Sequence, residues 1–327
     1  MGFREIRKLN RFIDKYSGHC RVRELAQASY KKHSFPIYAI EVGSQDPEAP
    51  TFFVTGGMHG IEKIGTHLAI NFLKSICEMA SWDSVTQEML KGVRYASIPL
   101  INPVGMFMDW RSNGNGVDLM RNSPVEADTT RMNLVSGHYL TPHLPWYRGA
   151  PYQQMEVETS ALDKYFSQYL MSSKFMISLD IHSGFGMVDR LWHPYSKTAE
   201  PYPCSKQNEK FKKLFQENLP FNIYKIEAQS DSYLISGDFW DYAFDKFFEH
   251  HNGGRVFLPW TLELGSWIWV KKNIRQAFSP YGFFNPVLPH RYDRTMRRHK
   301  LLLDFFLRAV YNYDKWLLRP EKEEDVK

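Results

Sequence analysis

Two histidines and two glutamates carry the residue types for metal-assisted hydrolysis: His59, Glu62, His182 and Glu263. His59 and Glu62 are three residues apart, a spacing that one helical turn sets on one side. Gly56 and Gly57, just before them, let the backbone turn sharply. An imidazole and a carboxylate so placed can share a zinc ion. The pattern HxxE recurs by chance in many chains, so its weight depends on a third partner. His182 closes an apolar run, and on its own it fits a satisfied core histidine equally well. A His/Glu/His set leaves one tetrahedral position open for water, as a catalytic zinc requires. Glu263 lies inside the apolar run 257–264, where an unpaired carboxylate is expensive. It is either a salt-bridged structural acid or a general base held beside the activated water.

Strands and helices must bring these groups together. Apolar runs predict strands over 36–42, 51–55, 93–100, 174–181, 223–226 and 255–264. Periodicity predicts helices over 61–76, 157–170, 208–216, 236–248 and 291–318. In the first of these helices Ile64, Leu68, Phe72 and Ile76 recur near helical spacing. Residues 105–154 are rich in Asn, Gly and Pro and lack a clear period, which predicts a long loop. Loops of that length are often functional. The alternation predicts an α/β fold whose sheet is covered by helices on both faces. No internal repeat or long linker interrupts 1–327, so a single domain is expected, with about the first 35 and the last 8 residues peripheral. Ligands in such sheets gather at the carboxyl ends of strands. His59, His182 and Glu263 all fall at or near such ends.

Composition narrows the class. The 327 residues are 43% hydrophobic and 24% charged, which excludes a disordered, collagen-like or coiled-coil chain. The net charge of +5 is mild. Its densest basic cluster, Arg291, Arg294, Arg297, Arg298 and Lys300, lies on a predicted helix with an apolar side, so a solvated face is expected and no nucleic-acid partner. No run of about 18 apolar residues predicts a membrane span. Cys20, Cys77 and Cys204 form an odd set without CxxC spacing. They predict no disulfide framework and a reducing, cytoplasmic setting. The charged first twenty residues carry no secretory apolar stretch, which points the same way. No HExxH, phosphate-binding or dinucleotide-binding motif is present. Nothing in the sequence indicates an oligomeric state.

Several motifs occur in an order that resembles the zinc metallocarboxypeptidases of the M14 type. They are HGIE at His59–Glu62, INPVGM at Ile101–Met106, WRSNGNGVDLMRN at Trp110–Asn122, MEVET at Met155–Thr159, DIHSG at Asp180–Gly184, the segment Tyr233–Tyr242, and TLELG at Thr261–Gly265. The resemblance spans roughly 36–264. It implies a mixed, largely parallel twisted sheet and one zinc per chain, held by His59, Glu62 and His182. It implies hydrolysis of an amide bond next to a free carboxylate, in a peptide or acyl-amino-acid substrate, as in bacterial cytoplasmic carboxypeptidases or murein-peptide amidases. Glu263 would be the base. Arg111 would polarise the scissile carbonyl, and Arg121 would pair with the substrate carboxylate. Tyr233 would be the mobile tyrosine that covers bound substrate, and Asp118 would stand behind the first zinc histidine and fix its tautomer.

Met120 departs from the pattern, because the family usually has an Asn there that helps hold a terminal carboxylate. Methionine donates no hydrogen bond. Asn113, Asn115 and Asn122 are the candidate replacements, and Asn122 is included among the expected substrate-binding residues. Trp240 falls near the position that sets side-chain preference, and its bulk implies a shallow or displaced pocket. Asp180 shares a strand face with His182 by period two, so it either supports His182 or meets substrate. Two other readings compete. One is an N-acyl-amino-acid deacylase of the aspartoacylase and succinylglutamate desuccinylase type. The other is a zinc-bearing binding protein without turnover, which would have no need of Glu263 or Arg111.

Overall fold

The computed structural model describes residues 2–128 and 134–318. Its strands form one mixed sheet. They are β1 (Arg21–Tyr30), β2 (His33–Gly43), β3 (Thr51–Gly56), β4 (Arg94–Ile98), β5 (Phe175–Ser183), β6 (Arg190–His193), β7 (Lys225–Ala228) and β8 (Val256–Leu264), in the order β1-β2-β4-β3-β5-β8-β6-β7. The central run β4-β3-β5-β8 is parallel, while β1, β2 and β6 join antiparallel neighbours. Every residue of β3 and β5 is buried. Strands buried on both faces read as continuous apolar runs, which is why these two were visible in the sequence.

Adjacent residues of β3 show the two covered faces. Phe52 packs against Tyr95 and against Phe306 of the helix Pro289–Tyr311, with ring centroids 5.7 and 5.8 Å apart. Phe53 points the other way, to Tyr165 of the helix Val157–Tyr165 and Trp240 of the helix Phe239–His250, at 5.9 and 5.8 Å. The helix Lys63–Ala80 buries Ile64, Leu68, Phe72 and Ile76, the predicted stripe. Each such side chain contributes about 1.5–3 kcal/mol by leaving water. No helix among the described residues is long and apolar enough to cross a membrane.

The amino-terminal residues are not peripheral. The helix Arg4–Tyr16 buries Ile6, Leu9, Phe12 and Tyr16, and β1 pairs with β2 along its length. As an edge strand β1 is half exposed, so its sequence RVRELAQASY shows no apolar alternation. β6 has only four residues, too few for a periodic signal. The last predicted helix breaks at Asn312 and resumes at Tyr313–Leu317. The predicted carboxyl-terminal tail lies outside the described residues.

The predicted loop over 105–154 opens with the helix Pro103–Met108 and is otherwise largely irregular. Asn113 fastens it. Its Oδ1 accepts from Asn115 N and Val117 N, both at 3.0 Å, while its Nδ2 donates to Glu156 at 2.8 Å and Glu158 at 3.2 Å. Burial pushes the Glu158 carboxyl up to about 7. The folded chain therefore holds this proton more tightly than the unfolded chain. Stability falls as pH climbs from about 4.5 to about 7, by at most about 3 kcal/mol. Glu158→Gln keeps an acceptor for Asn113 and removes the ionisation. Its Tm is expected to match the wild type at pH 4 and to exceed it by a few degrees at pH 8. Equal Tm values at both pH values would refute the assignment.

Candidate active site

The parallel strands β3, β5 and β8 are neighbours, so their carboxyl ends open on one place. Past β3 the chain turns through Gly57 at φ 67° and runs close against residue 105, where a Cβ on Gly60 would lie 2.0 Å from the Gly105 carbonyl carbon. This tight turn delivers His59 and then Glu62, the residue before the helix Lys63–Ala80. His182 lies at the end of β5 and is paired in register with Glu263 of β8.

His59, Glu62 and His182 are buried together, with potential ligand atoms all within 4.8 Å of one another. His59 Nδ1 is 2.8 Å from Glu62 Oε1, and His182 Nδ1 is 3.1 Å from both Glu62 Oε2 and His59 Nδ1. The outer nitrogens face carboxylates: His59 Nε2 meets Asp118 Oδ1 at 3.0 Å, and His182 Nε2 meets Asp180 Oδ2 at 2.8 Å. Burial alone would raise both aspartates. Arg121, Arg111 and His59 outweigh it at Asp118, and the charge and hydrogen bond of His182 outweigh it at Asp180, so both sit below the usual carboxylate range. An ionised carboxylate beside Nε2 keeps the proton there and leaves the Nδ1 lone pair facing inward. Two such lone pairs and a carboxylate then converge, none of the three groups itself a donor, while Ser183 N at 2.9 Å and Arg111 Nη1 at 3.3 Å hold the Glu62 oxygens. That acceptor-only set fits a zinc ion with two nitrogens and one oxygen from the protein.

The centre opens on a cavity of about 670 Å³ that also reaches Arg111, Arg121, Tyr233, Trp240 and Glu263. Burial and the nearby Glu62 charge push the Glu263 carboxyl above its ordinary value. Arg111 donates from Nε to Asp118 at 3.1 Å and from Nη1 to Glu62 at 3.3 Å, and its side chain keeps 28% exposure. Tyr233 packs against Phe185 and Trp192 at the cavity wall.

Other expected positions need correction. Arg121 is 2% exposed and already ion-paired, Nη1 to Asp118 at 3.0 Å, with Nε on the Val135 carbonyl at 2.9 Å. Only Nη2 is without a hydrogen bond among the described residues, so it is not a free two-pronged clamp. Asn122 does not line the cavity: its Nδ2 donates to the Arg148 carbonyl and its Oδ1 accepts from Glu156 N. Asn113 and Asn115 are likewise engaged with Glu156. No replacement for the missing Asn comes from these three. Trp240 does not make the pocket shallow. It is 3% exposed, and its Nε1 donates to Asp180 at 3.0 Å, behind His182. Asp180, left open by the sequence, is held by Thr55, His182 and Trp240.

Two cavity residues went unnoticed in the sequence. Gln229 is 8% exposed, and its side-chain Nε2 has no hydrogen-bond partner among the described residues. Asp238 caps the helix Phe239–His250 through Oδ1, which accepts from Trp240 N and Asp241 N, and its Oδ2 takes no hydrogen bond among the described residues. Burial raises its carboxyl. Nothing marks Gln229 in the sequence, whereas Asp238 is a residue type that caps helices and lies inside the predicted helix 236–248, whose observed start is Phe239.

A family model described as zinc carboxypeptidase matches residues 6–262. The carboxypeptidase N catalytic chain of Rattus norvegicus is 27% identical over 229 residues, 62% of this chain and 46% of that protein. Carboxypeptidase D of Mus musculus is 27% identical over 129 residues, 36% of this chain and 9% of that protein. The chain spans less than half the length of these relatives. In fold it is similar to the carboxypeptidase A from Helicoverpa armigera, with a TM-score of 0.68 at 17% identity, covering 94% of this chain and 72% of that one.

Proposed function

Because the chain belongs to the zinc carboxypeptidase family, we propose that it is a zinc-dependent hydrolase that removes residues from the carboxyl ends of peptides, acting as one catalytic unit. One observation carries this reading: His59 Nδ1, His182 Nδ1 and the Glu62 carboxylate converge beside Glu263 in a single cavity. The zinc, held by those three residues, would polarise the scissile carbonyl and lower the pKa of water toward about 7. Glu263 takes the water's proton and hands it to the leaving amine. Arg111, with Nη2 uncommitted among the described residues, steadies the developing oxyanion. Arg121 offers its remaining nitrogen, Nη2, to the terminal carboxylate, and Gln229 Nε2, unpartnered among the described residues, supplies a donor that Met120 cannot. Tyr233 covers the bound residue.

The unengaged Asp238 oxygen supports a substrate side chain that carries a cation. Asp238→Asn still caps its helix, since Asn caps as well as Asp. It is expected to lower kcat/KM about 10- to 100-fold for peptides ending in Lys or Arg, the equivalent of one charge-assisted hydrogen bond of about 1.5–3 kcal/mol. Peptides with apolar ends should change little. Equal losses for both classes would refute the assignment.

The family match favours this reading over the deacylase and over a zinc protein without turnover. A cytoplasmic setting belongs to the same proposal, supported by the three unpaired cysteines. The direct test offers the zinc-loaded protein a mixture of linear peptides, murein peptides and acyl-amino acids, with products read by mass spectrometry. Loss of single carboxyl-terminal residues is expected. Release of acyl groups alone would overturn the proposal.

A further inference from the structure

The segment 184–189, which straps β5 to β6, both walls the cavity and touches Glu263. Gly184 and Phe185 line the cavity, and Phe185 N donates to Glu263 Oε1 at 3.1 Å. That is the one hydrogen bond on this carboxylate among the described residues. A buried carboxylate held by a single backbone N–H is aimed only as well as the backbone that carries it.

Backbone bonds from Trp267 N to the Gly186 carbonyl at 3.0 Å and from Gly184 N to the Leu264 carbonyl at 3.4 Å hold the strap's first half, and the side chains of two consecutive residues fasten its second half. Arg190 Nη1 donates to the Val188 carbonyl at 2.9 Å and the Phe185 carbonyl at 3.4 Å, and the guanidinium lies 4.9 Å from the Phe185 ring centroid. Asp189 Oδ1 accepts from Gly265 N at 2.9 Å, two residues past Glu263 on the same chain segment. The approach there is close, since a Cβ on Gly265 would lie 2.5 Å from Val188 N. Asp189 is 8% exposed. Its Oδ2 receives Arg298 Nη1 at 3.2 Å and lies 3.6 Å from His299 Nε2, both on the helix Pro289–Tyr311. The two oxygens thus do different work: Oδ1 ties the strap to the end of β8, and Oδ2 pairs with the helix.

We propose that Asp189 is a positioning residue for Glu263: by holding the strap against Gly265 it aims Phe185 N at the Glu263 carboxylate. The proposal rests on the reading of Glu263 as the base. Small displacements of a reacting group can cost about 100-fold in rate. Asp189→Ala is therefore expected to lower kcat about 10- to 100-fold, with KM within twofold and zinc content unchanged. Asp189→Asn keeps the Oδ1 acceptor and should return kcat to within about threefold of wild type. Arg298→Met loses the ion pair but not the tie, and should keep wild-type kcat. Amide hydrogen exchange of the peptide spanning 184–190, measured on the zinc-loaded protein, should speed up in Asp189→Ala and not in Asp189→Asn. Should the alanine variant fail to accumulate as folded protein, Asp189→Ser carries the same expectation, being too short to reach Gly265 N. A wild-type kcat in Asp189→Ala, unchanged exchange, or an Asn variant as impaired as the Ala variant would each overturn the proposal. Failure of the base reading shows separately, as retained turnover in Glu263→Gln, and the exchange measurement still decides whether Asp189 anchors the strap.

Discussion

Glu263→Gln is expected to lose nearly all turnover while folding and binding zinc as the wild type does. The change is nearly isosteric, and the Gln carbonyl oxygen still accepts the Phe185 N–H that holds Oε1 at 3.1 Å. What disappears is the capacity to take a proton. General-base contributions run to about 10²–10⁴-fold, so kcat should fall by that factor with KM nearly constant. Turnover needs the ionised carboxylate, so wild-type activity declines as pH drops through the Glu263 pKa. That limb should be missing from whatever activity the variant retains. A wild-type kcat at unchanged zinc content would make Glu263 a structural acid and remove the hydrolytic mechanism with it.

The parts of this site that could be read in the sequence are those that strands deliver. β3, β5 and β8 are buried on both faces or nearly so, and their apolar runs locate His182 and Glu263 in the chain to within a residue. Spacing three apart then puts Glu62 with His59. Loops carry no such period. Arg111, Asp118, Arg121 and Asn122 follow one another within a dozen residues, yet the structure turns the first three toward the centre and Asn122 toward Arg148 and Glu156. The direction of each depends on contacts with segments distant in sequence. The same holds for Gln229 and Asp189, whose surroundings come from three or more separate elements. β1 and β6 escaped notice for the opposite reason: an edge strand and a four-residue strand lack enough one-sided burial to leave a pattern. Arg121 shows how residue type can mislead. An arginine in a loop before a cavity suggests a free clamp, but the buried Asp118 that orients His59 also needs neutralising, and Arg121 supplies part of that charge.

Asp118→Ala and Asp180→Ala are each expected to weaken zinc binding about 10- to 100-fold, the usual cost of losing the partner behind a metal-binding histidine. Each aspartate accepts from the outer nitrogen of one histidine, at 3.0 Å for His59 and 2.8 Å for His182. Without the acceptor a buried N–H is left unpaired, and the tautomer with the proton on Nδ1 gains population. That tautomer has no inward lone pair to offer. The two variants should differ in a second respect. Asp118 also pairs with Arg111 and Arg121, so its loss frees two guanidiniums at the cavity wall and should change KM as well as affinity. Asp180 is tied to Thr55 and Trp240 and does not itself line the cavity, so its loss should leave KM at saturating zinc nearly as in the wild type. The double variant should lose less than the product of the two factors, because both act on the same ion and sites that share a partner do not add. Competition with a chelator of known affinity measures all three. If both single variants hold zinc within twofold of the wild type, the two carboxylates do not set the histidine tautomers, and the case for an acceptor-only metal centre fails.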